Sequence, residues 1–243
     1  MQIFVGTSGY GYKEWKGKFY PAKIPPQEML RYYASRLNAV EINNTFYHMP
    51  TEGVLTSWAA QVPDAFVFAL KAPQIITHLK RLREVRGETE YLFRTLKVLD
   101  RKLGPVLFQF PKSFPADRPA LEDFLALIPG NFSCAFEFRN PSWLEADILD
   151  LLRKWGHSLC LADTDENPAN EIIHTAPWGY LRLRRAAYTE ADLLQWQDKI
   201  LAQKWERACV FFKHEEEAQG PEMARRFLEL TDARITRIQD SHS

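Results

Sequence analysis

The sequence predicts an α/β fold, a single parallel (β/α)8 barrel, on three observations. Short apolar runs that read as strands alternate with amphipathic stretches that read as helices, and the chain closes its eighth repeat near its end. Strand and helix in strict alternation require a parallel sheet with right-handed crossovers. Six of the apolar runs end in a charged or amide residue, as in Val40-Glu41-Ile42-Asn43, Val106-Leu107-Phe108-Gln109 and Ala135-Phe136-Glu137-Phe138-Arg139. A buried strand carries a charge only where the charge is paired or used. Such endings collected at one end of a parallel sheet mark the place where barrels build their sites.

The elements follow in order. Residues 3–6 read as the first strand and open into a long aromatic loop over 7–26. Apolar spacing makes 27–37 helical, and 39–43 is the second strand. A helix over 52–62 precedes the third strand at 66–71. Leu92, Leu96 and Leu99 share one face of a helix over 87–103, followed by a strand at 106–110 that Pro111 stops. The helix over 121–128 ends at Pro129-Gly130. A fifth strand at 134–139, a helix over 144–155 and a sixth strand at 158–163 come next. The connection 164–177 is polar and contains proline, so the crossover from strand six to strand seven is expected to be irregular. Strand seven at 179–183, a helix over 192–201, strand eight at 208–212 and a helix over 221–230 complete the chain.

At 243 residues the length suits one barrel domain spanning 1–243, with no second domain, low-complexity tract or charged tail. A hydrophobic share of 46% is enough for a large core. The 31 basic and 31 acidic side chains cancel, so no global field attracts nucleic acid or an anionic membrane, and any attraction is a local patch. Cys134, Cys160 and Cys209 lie in strands without CxxC spacing and read as small buried hydrophobes in a reducing compartment. The sequence shows neither a signal-peptide pattern nor an apolar run of about 18 residues, so a cytoplasmic protein without a membrane partner is expected. The oligomeric state is not written in it.

Strand side chains alternate, so residues two apart share a face. Phe136 and Phe138 then face the helices, while Ala135, Glu137 and Arg139 face the barrel axis. The same rule groups Glu41 with Asn43, Val67 and Ala69 with Lys71, and Tyr180 with Arg182 and Arg184. Thr7 continues the face of Ile3 and Val5, and Ser8 and Gly9 open the first loop. The expected mouth holds Glu41, Asn43, Lys71, Gln109, Glu137, Arg139, Asp163 and Arg182, with Lys213 or His214 beside them. Two readings fit this set: a ring of ion pairs plugging the barrel top, and a functional cluster. Both signs beside amides on so many strands favour the cluster.

Several blocks of sequence carry a family resemblance. Gly6-Thr7-Ser8-Gly9-Tyr10 with Trp15 and Phe19-Tyr20-Pro21 comes first, then Val40-Glu41-Ile42-Asn43 leading to Thr45-Phe46-Tyr47. Phe68-Ala69-Leu70-Lys71-Ala72-Pro73 with Ile76-Thr77-His78, Phe108-Gln109-Phe110-Pro111, and Ala135-Phe136-Glu137-Phe138-Arg139 with Pro141-Ser142-Trp143 follow in order through residue 143. Together they resemble the YecE-like family, DUF72. The resemblance implies a TIM-like barrel and no particular reaction. The C-terminal third departs from the family pattern: Arg184-Arg185 follow Leu183 where many relatives carry His-Gly, and Lys213-His214-Glu215 replaces an asparagine-rich turn.

The chemistry of these residues points to a small anionic ligand. Lys71, Arg139 and Arg182, with His78 and Lys80 in the third loop, make a positive pocket suited to phosphate or carboxylate. Thr7, Ser8, Asn43 and Gln109 add polar contacts, and Tyr12 and Tyr47 stand out among the loop aromatics because their hydroxyls need hydrogen bonds. Glu41, Glu137 and Asp163 are the candidate catalytic acids or bases. No HxH or HExxH occurs, which argues against zinc, and a divalent ion on oxygen ligands stays open as a cofactor. Gly6-Thr7-Ser8-Gly9 is too short for a dinucleotide fingerprint or P-loop. An enzyme acting on a small phosphorylated or carboxylated substrate, of hydrolase, isomerase or lyase type, is the leading expectation. The alternatives are nucleic-acid binding with phosphodiester cleavage, motivated by aromatics beside cations, and a noncatalytic metabolite sensor.

Overall fold

Eight strands close a parallel barrel in the order of the chain, β1 at Gln2–Ser8, β2 at Ala39–Ile42, β3 at Val67–Lys71, β4 at Leu103–Phe110, β5 at Cys134–Phe138, β6 at Ser158–Asp163, β7 at Trp178–Leu183 and β8 at Arg207–Phe212. The computed structural model describes residues 1–169, 171–213 and 218–240, with side chains to residue 234. Pairing of β1 with β8, from Gln2 opposite Arg207 to Thr7 opposite Phe212, shuts the barrel. His214 lies outside the described residues.

Among the described residues seven α-helices surround it: α1 Pro26–Ala34, α2 Glu52–Ala59, α3 Arg86–Leu96, α4 Arg118–Leu125, α5 Ala146–Trp155, α6 Glu190–Leu201 and α7 Gln219–Asp240. Their starts have local causes. Thr51 caps α2 by accepting from Val54 N–H, Asp117 caps α4 by accepting from Ala120 N–H, and Thr189 with Asp192 forms a reciprocal capping box on α6. Gly156 ends α5 in the left-handed conformation that glycine adopts without strain. Among the described residues no helix lies between β6 and β7, in agreement with the polar connection there. α1, α2 and α3 each end before the residue that apolar spacing suggests, α3 by the most. α3 stops at Leu96, tightens into a 3-10 turn, and breaks at Asp100, whose φ is 48°. Leu103 is therefore already the first residue of β4.

Two apolar layers result. Tyr33, Phe68, Leu92, Phe108, Phe136 and Leu152 belong to the layer between strands and helices. Ala39, Ala69, Leu107, Ala135, Cys160, Cys209 and Phe211 fill the lumen. The three cysteines are free and buried. Small residues on β2, β3 and β5 leave room in the lumen for Phe211 and Tyr180, the filled lower half expected of a barrel.

Tyr33 ties the helix layer to the sheet. Its hydroxyl donates to the Ala39 carbonyl at 3.0 Å and accepts from the Thr7 N–H at 2.8 Å, in full burial. Replacing it by phenylalanine keeps the ring and strands the Thr7 N–H. Y33F is expected to cost roughly 1–3 kcal/mol of unfolding free energy, read by denaturant titration; a change below about 0.5 kcal/mol contradicts this role.

Candidate active site at the barrel mouth

The C-terminal ends of the strands bring polar side chains together above the apolar lumen, and the register decides which of them meet. Ser8 lies opposite Glu41 across β1 and β2, and its hydroxyl donates to Glu41 Oε1 at 2.7 Å. Gln109 lies opposite Glu137 across β4 and β5, and its amide donates to Glu137 Oε1 at 2.7 Å. Arg182 reaches in from β7 and joins the two sides. It donates to Glu41 Oε1 at 2.8 Å and to Glu137 Oε2 at 2.5 Å. Tyr180, two residues earlier on the same face, donates to Glu41 Oε2 at 2.7 Å. Asn43 adds a contact to Glu41 at 3.2 Å, and Arg139 one to Glu137 at 3.2 Å.

Glu41 thus accepts four hydrogen bonds, three on Oε1 and one on Oε2. It is fully buried and held as an anion: burial pushes its carboxyl up, and the Arg182 charge with the bonds from Ser8, Tyr180 and Arg182 pushes it further down. Glu137 follows the same logic. Burial opposes ionisation, the Arg182 and Arg139 charges favour it more, and its pKa falls to about 2.

The cations feel one another. Burial and the Arg182 charge bring Lys71 down to about 8, against the pull of Glu137 and Glu41. Its ammonium lies over the Phe46 ring, 3.7 Å from the ring centre. Burial and then Arg182 also lower Arg184. His78, edge-on to Phe46 at 4.8 Å between ring centres, is brought to about 4 by burial and the Lys71 and Arg139 charges. Its Nδ1 shares a 2.8 Å hydrogen bond with the Thr77 hydroxyl. Next to this cluster a cavity of about 1050 Å³ opens, with Glu137, Arg139, Arg184 and Lys213 on its polar side.

Comparison with known proteins fits this frame. The sequence profile described as "Protein of unknown function DUF72" matches residues 4–242. The chain belongs to the DUF72 family. It is 27% identical to the UPF0759 protein YunF of Bacillus subtilis (strain 168) over an alignment of 270 positions, covering 95% of each chain. It is 37% identical to the UPF0759 protein YecE of Escherichia coli (strain K12) over 116 residues, 47% of this chain and 42% of that protein. The crystal structure of a DUF72 family protein from Thermotoga maritima MSB8 superposes with a TM-score of 0.85 at 26% identity, covering 96% of this chain and 100% of that one. A DUF72 family protein from Enterococcus faecalis V583 shares the fold, with a TM-score of 0.73 at 20% identity and coverage of 95% and 98%.

Within this DUF72 barrel, Ser8, Glu41, Asn43, Gln109, Glu137, Arg139 and Arg182 form one bonded network, with Lys71 and His78 at its edge. Other expected site residues lie elsewhere. Thr7 shares the outward face of Ile3 and Val5, and its hydroxyl bonds the Gly9 carbonyl and Tyr33 beneath α1. Asp163 is buried on the outer side of β6, because Cys160 is the residue that faces the lumen and alternation turns Asp163 away. It accepts from Ala169 N–H, Arg185 Nε and the Tyr188 hydroxyl, and so anchors the crossover. Lys80 turns back to Glu88 at 2.7 Å and the Glu84 carbonyl at 3.0 Å. Tyr12 donates to the Ser8 carbonyl at 2.7 Å and packs on Trp15. Tyr47 packs edge-on against Phe46 and is 65% exposed.

Tyr180 and Arg184 are absent from the expected contacts, although alternation already groups them with Arg182. Among the described residues no three His, Cys, Asp or Glu side chains gather where they could hold a metal ion.

The network makes two expectations. Arg182→Met leaves two buried carboxylates without their shared counter-ion and is expected to cost about 3–5 kcal/mol in denaturant unfolding; a loss below about 1 kcal/mol removes Arg182 as the tie. Glu137 ionises more readily folded than unfolded, so its contribution is present above its ordinary 4.5 and is lost as pH falls toward about 2. Unfolding free energy is expected to drop across that window, and less so in Glu137→Gln.

Proposed function

We propose that this DUF72 protein is an enzyme acting on a small phosphorylated or carboxylated substrate at the C-terminal mouth of the barrel. One observation carries the reading. Lys71, Arg139, Arg182 and Arg184 stand around two carboxylates, Glu41 and Glu137, and burial and mutual repulsion push Lys71 and Arg184 down. Cations outnumber carboxylates in this cluster four to two, surroundings that favour an anionic ligand. Fold alone assigns no reaction; the argument rests on this cluster.

The roles divide by geometry. Arg139 and Arg184 line the cavity and hold the anion. Glu137 is the carboxylate of the network that lines the same cavity, while Glu41, buried and bonded four times, positions Arg182. Lys71, at about 8, changes protonation close to neutral pH and is the group suited to exchange a proton with the substrate.

The nucleic-acid alternative loses its main support. Trp15, Tyr20 and Trp143 are buried, and the Tyr20 hydroxyl and Trp143 indole N–H are spent on backbone carbonyls, so these rings stack on the protein. A sensor without turnover uses the same pocket and differs by binding tightly with no product formed.

Sulfate, which does not titrate near neutrality, is the first probe. Calorimetry is expected to show binding that Arg139→Ala weakens roughly tenfold or more. The protonated Lys71 favours the anion, so affinity is expected to be level below about pH 7 and to fall as pH rises through about 8, a dependence Lys71→Met removes. Failure of sulfate, phosphate and small carboxylates alike to bind overturns the reading.

A further inference from the structure

Lys71 ends β3 with its side chain turned into the mouth. Val67 and Ala69 face the lumen, and alternation places Lys71 on the same side. Its backbone is held on both flanks. The Thr45 hydroxyl donates to the Lys71 carbonyl at 2.7 Å, and Lys71 pairs with Leu107 of β4, whose carbonyl accepts from the Ala72 N–H at 2.8 Å. The 3-10 turn Asn44–Phe46 that supplies Thr45 also supplies the Phe46 ring. The amine is thus delivered from the end of a barrel strand, the place from which barrels present reacting groups.

What the ammonium meets is unlike the contacts of other half-buried lysines. Lys16 donates to the Ile24 carbonyl, Lys80 to Glu88 and the Glu84 carbonyl, and Lys102 to the carbonyls of Ala59 and Val62. Lys71 is also half-buried, yet its ammonium lies on the face of Phe46 and has no hydrogen-bond or ion-pair partner among the described residues. A lysine kept as a counter-ion is best served by a carboxylate. Here Glu41 and Glu137 are bonded by Ser8, Asn43, Tyr180, Gln109, Arg139 and Arg182 instead. The charged groups around Lys71 are Glu41 on β2, Glu137 and Arg139 at the end of β5, and Arg182 on β7; burial and Arg182 outweigh the carboxylates and bring it to about 8. His78, edge-on to the same ring and brought to about 4, is neutral at pH 7. At that pH about a tenth of such an amine is uncharged, against on the order of one in three thousand for an ordinary lysine.

We propose that Lys71 is a nucleophile that forms an imine with the substrate, which is a small aldehyde or ketone carrying an anionic group. This deepens the reading above and rests on it for the anionic group; the carbonyl is what the amine adds. The uncharged Nζ attacks the carbonyl carbon, a C–N bond forms, and the π pair of the C=O bond moves to oxygen. Both amine protons pass to that oxygen, which leaves as water while the C=N bond forms. Protein and substrate alone balance the step. The protonated imine draws electrons from the adjoining carbon more strongly than the carbonyl does, which suits the isomerase and lyase types of reaction.

Glyoxylate with cyanoborohydride tests the step on the full chain. The reagent reduces an imine to a secondary amine, so the protein gains the mass of glyoxylic acid less one oxygen. Peptide mapping after brief labelling near pH 7 is expected to place the label on Lys71 at least about tenfold ahead of the exposed Lys13 and Lys23, because the uncharged amine is the reacting form. The rate at Lys71 is expected to rise with pH through about 8 and then level. Lys71→Arg keeps a cation that cannot form the imine and is expected to lose this label; the mapping is read on the unaltered chain, so the test survives a variant that folds poorly. Label spread evenly over exposed lysines, or absent from Lys71, while sulfate still binds overturns the imine and leaves the anion site standing. Propanal labelling Lys71 as fast as glyoxylate, in a protein that binds no sulfate, overturns the anion reading and leaves the nucleophile. Absence of both the Lys71 label and sulfate binding overturns the two together.

Discussion

Arg182 carries a guanidinium from β7 across the lumen to carboxylates on β2 and β5, and the upper half of the barrel is organised around that reach. Taking an ion out of water costs several kcal/mol, and only close, well-directed partners offset it. Here the partners are two glutamates, so the buried triad carries a net negative charge that one arginine cannot cancel. Arg139 binds the same Glu137, and Lys71 and Arg184 stand near enough for their protonation to respond to it. The mouth cations are thus gathered by the same charges that hold the barrel's inside together. A residue at one of these positions serves position and charge at once, which is why a plug of ion pairs and a working site are not exclusive descriptions.

Alternation along the strands made most of this legible from sequence. Glu137 between Phe136 and Phe138 has its direction written by its neighbours, and Tyr180, Arg182 and Arg184 follow the same rule. The structure differs from the expected mouth where a polar residue near a strand end has outward parity. Asp163 closes β6 as Glu137 nearly closes β5, yet Cys160 takes the lumen, and Asp163 is turned outward to the crossover. Thr7 is the same case on β1, where Ser8 holds the inward position. Lys80 lies past a single wide π-helical turn over Ile75–Leu79, and no strand period reaches it. The short pairing of β5 with β6 was beyond sequence reading altogether. Apolar runs give the length of a strand but do not say how far its neighbours stay in register.

The first loop shows how much of an aromatic composition is consumed in packing. Trp15 meets Tyr12, Phe19 and Tyr20 within about 6 Å, and Tyr20 anchors the Tyr10 carbonyl through its hydroxyl. A loop this long needs a small core of its own, and these rings supply it. What the loop leaves toward the mouth is backbone and Ser8, already bonded to Glu41. The side of the mouth near β1 and β2 is held by these bonds, and a cavity lies near β5 to β7.

That asymmetry assigns different work to different heights of the barrel. A closed barrel removes sheet edges, and any opening gives some of that protection away. Pairing of β5 with β6 is confined here to Ala135 with Ser158 and Phe136 with Leu159, low on the wall around an apolar lumen. Glu137 stands at that limit. On one side it lies opposite Gln109 in continuous register; on the other it lies just beyond the last paired residues of β5 and β6. The carboxylate that ends the buried network thus also lines the cavity, and its ionisation, fixed by Arg182, contributes a negative charge there.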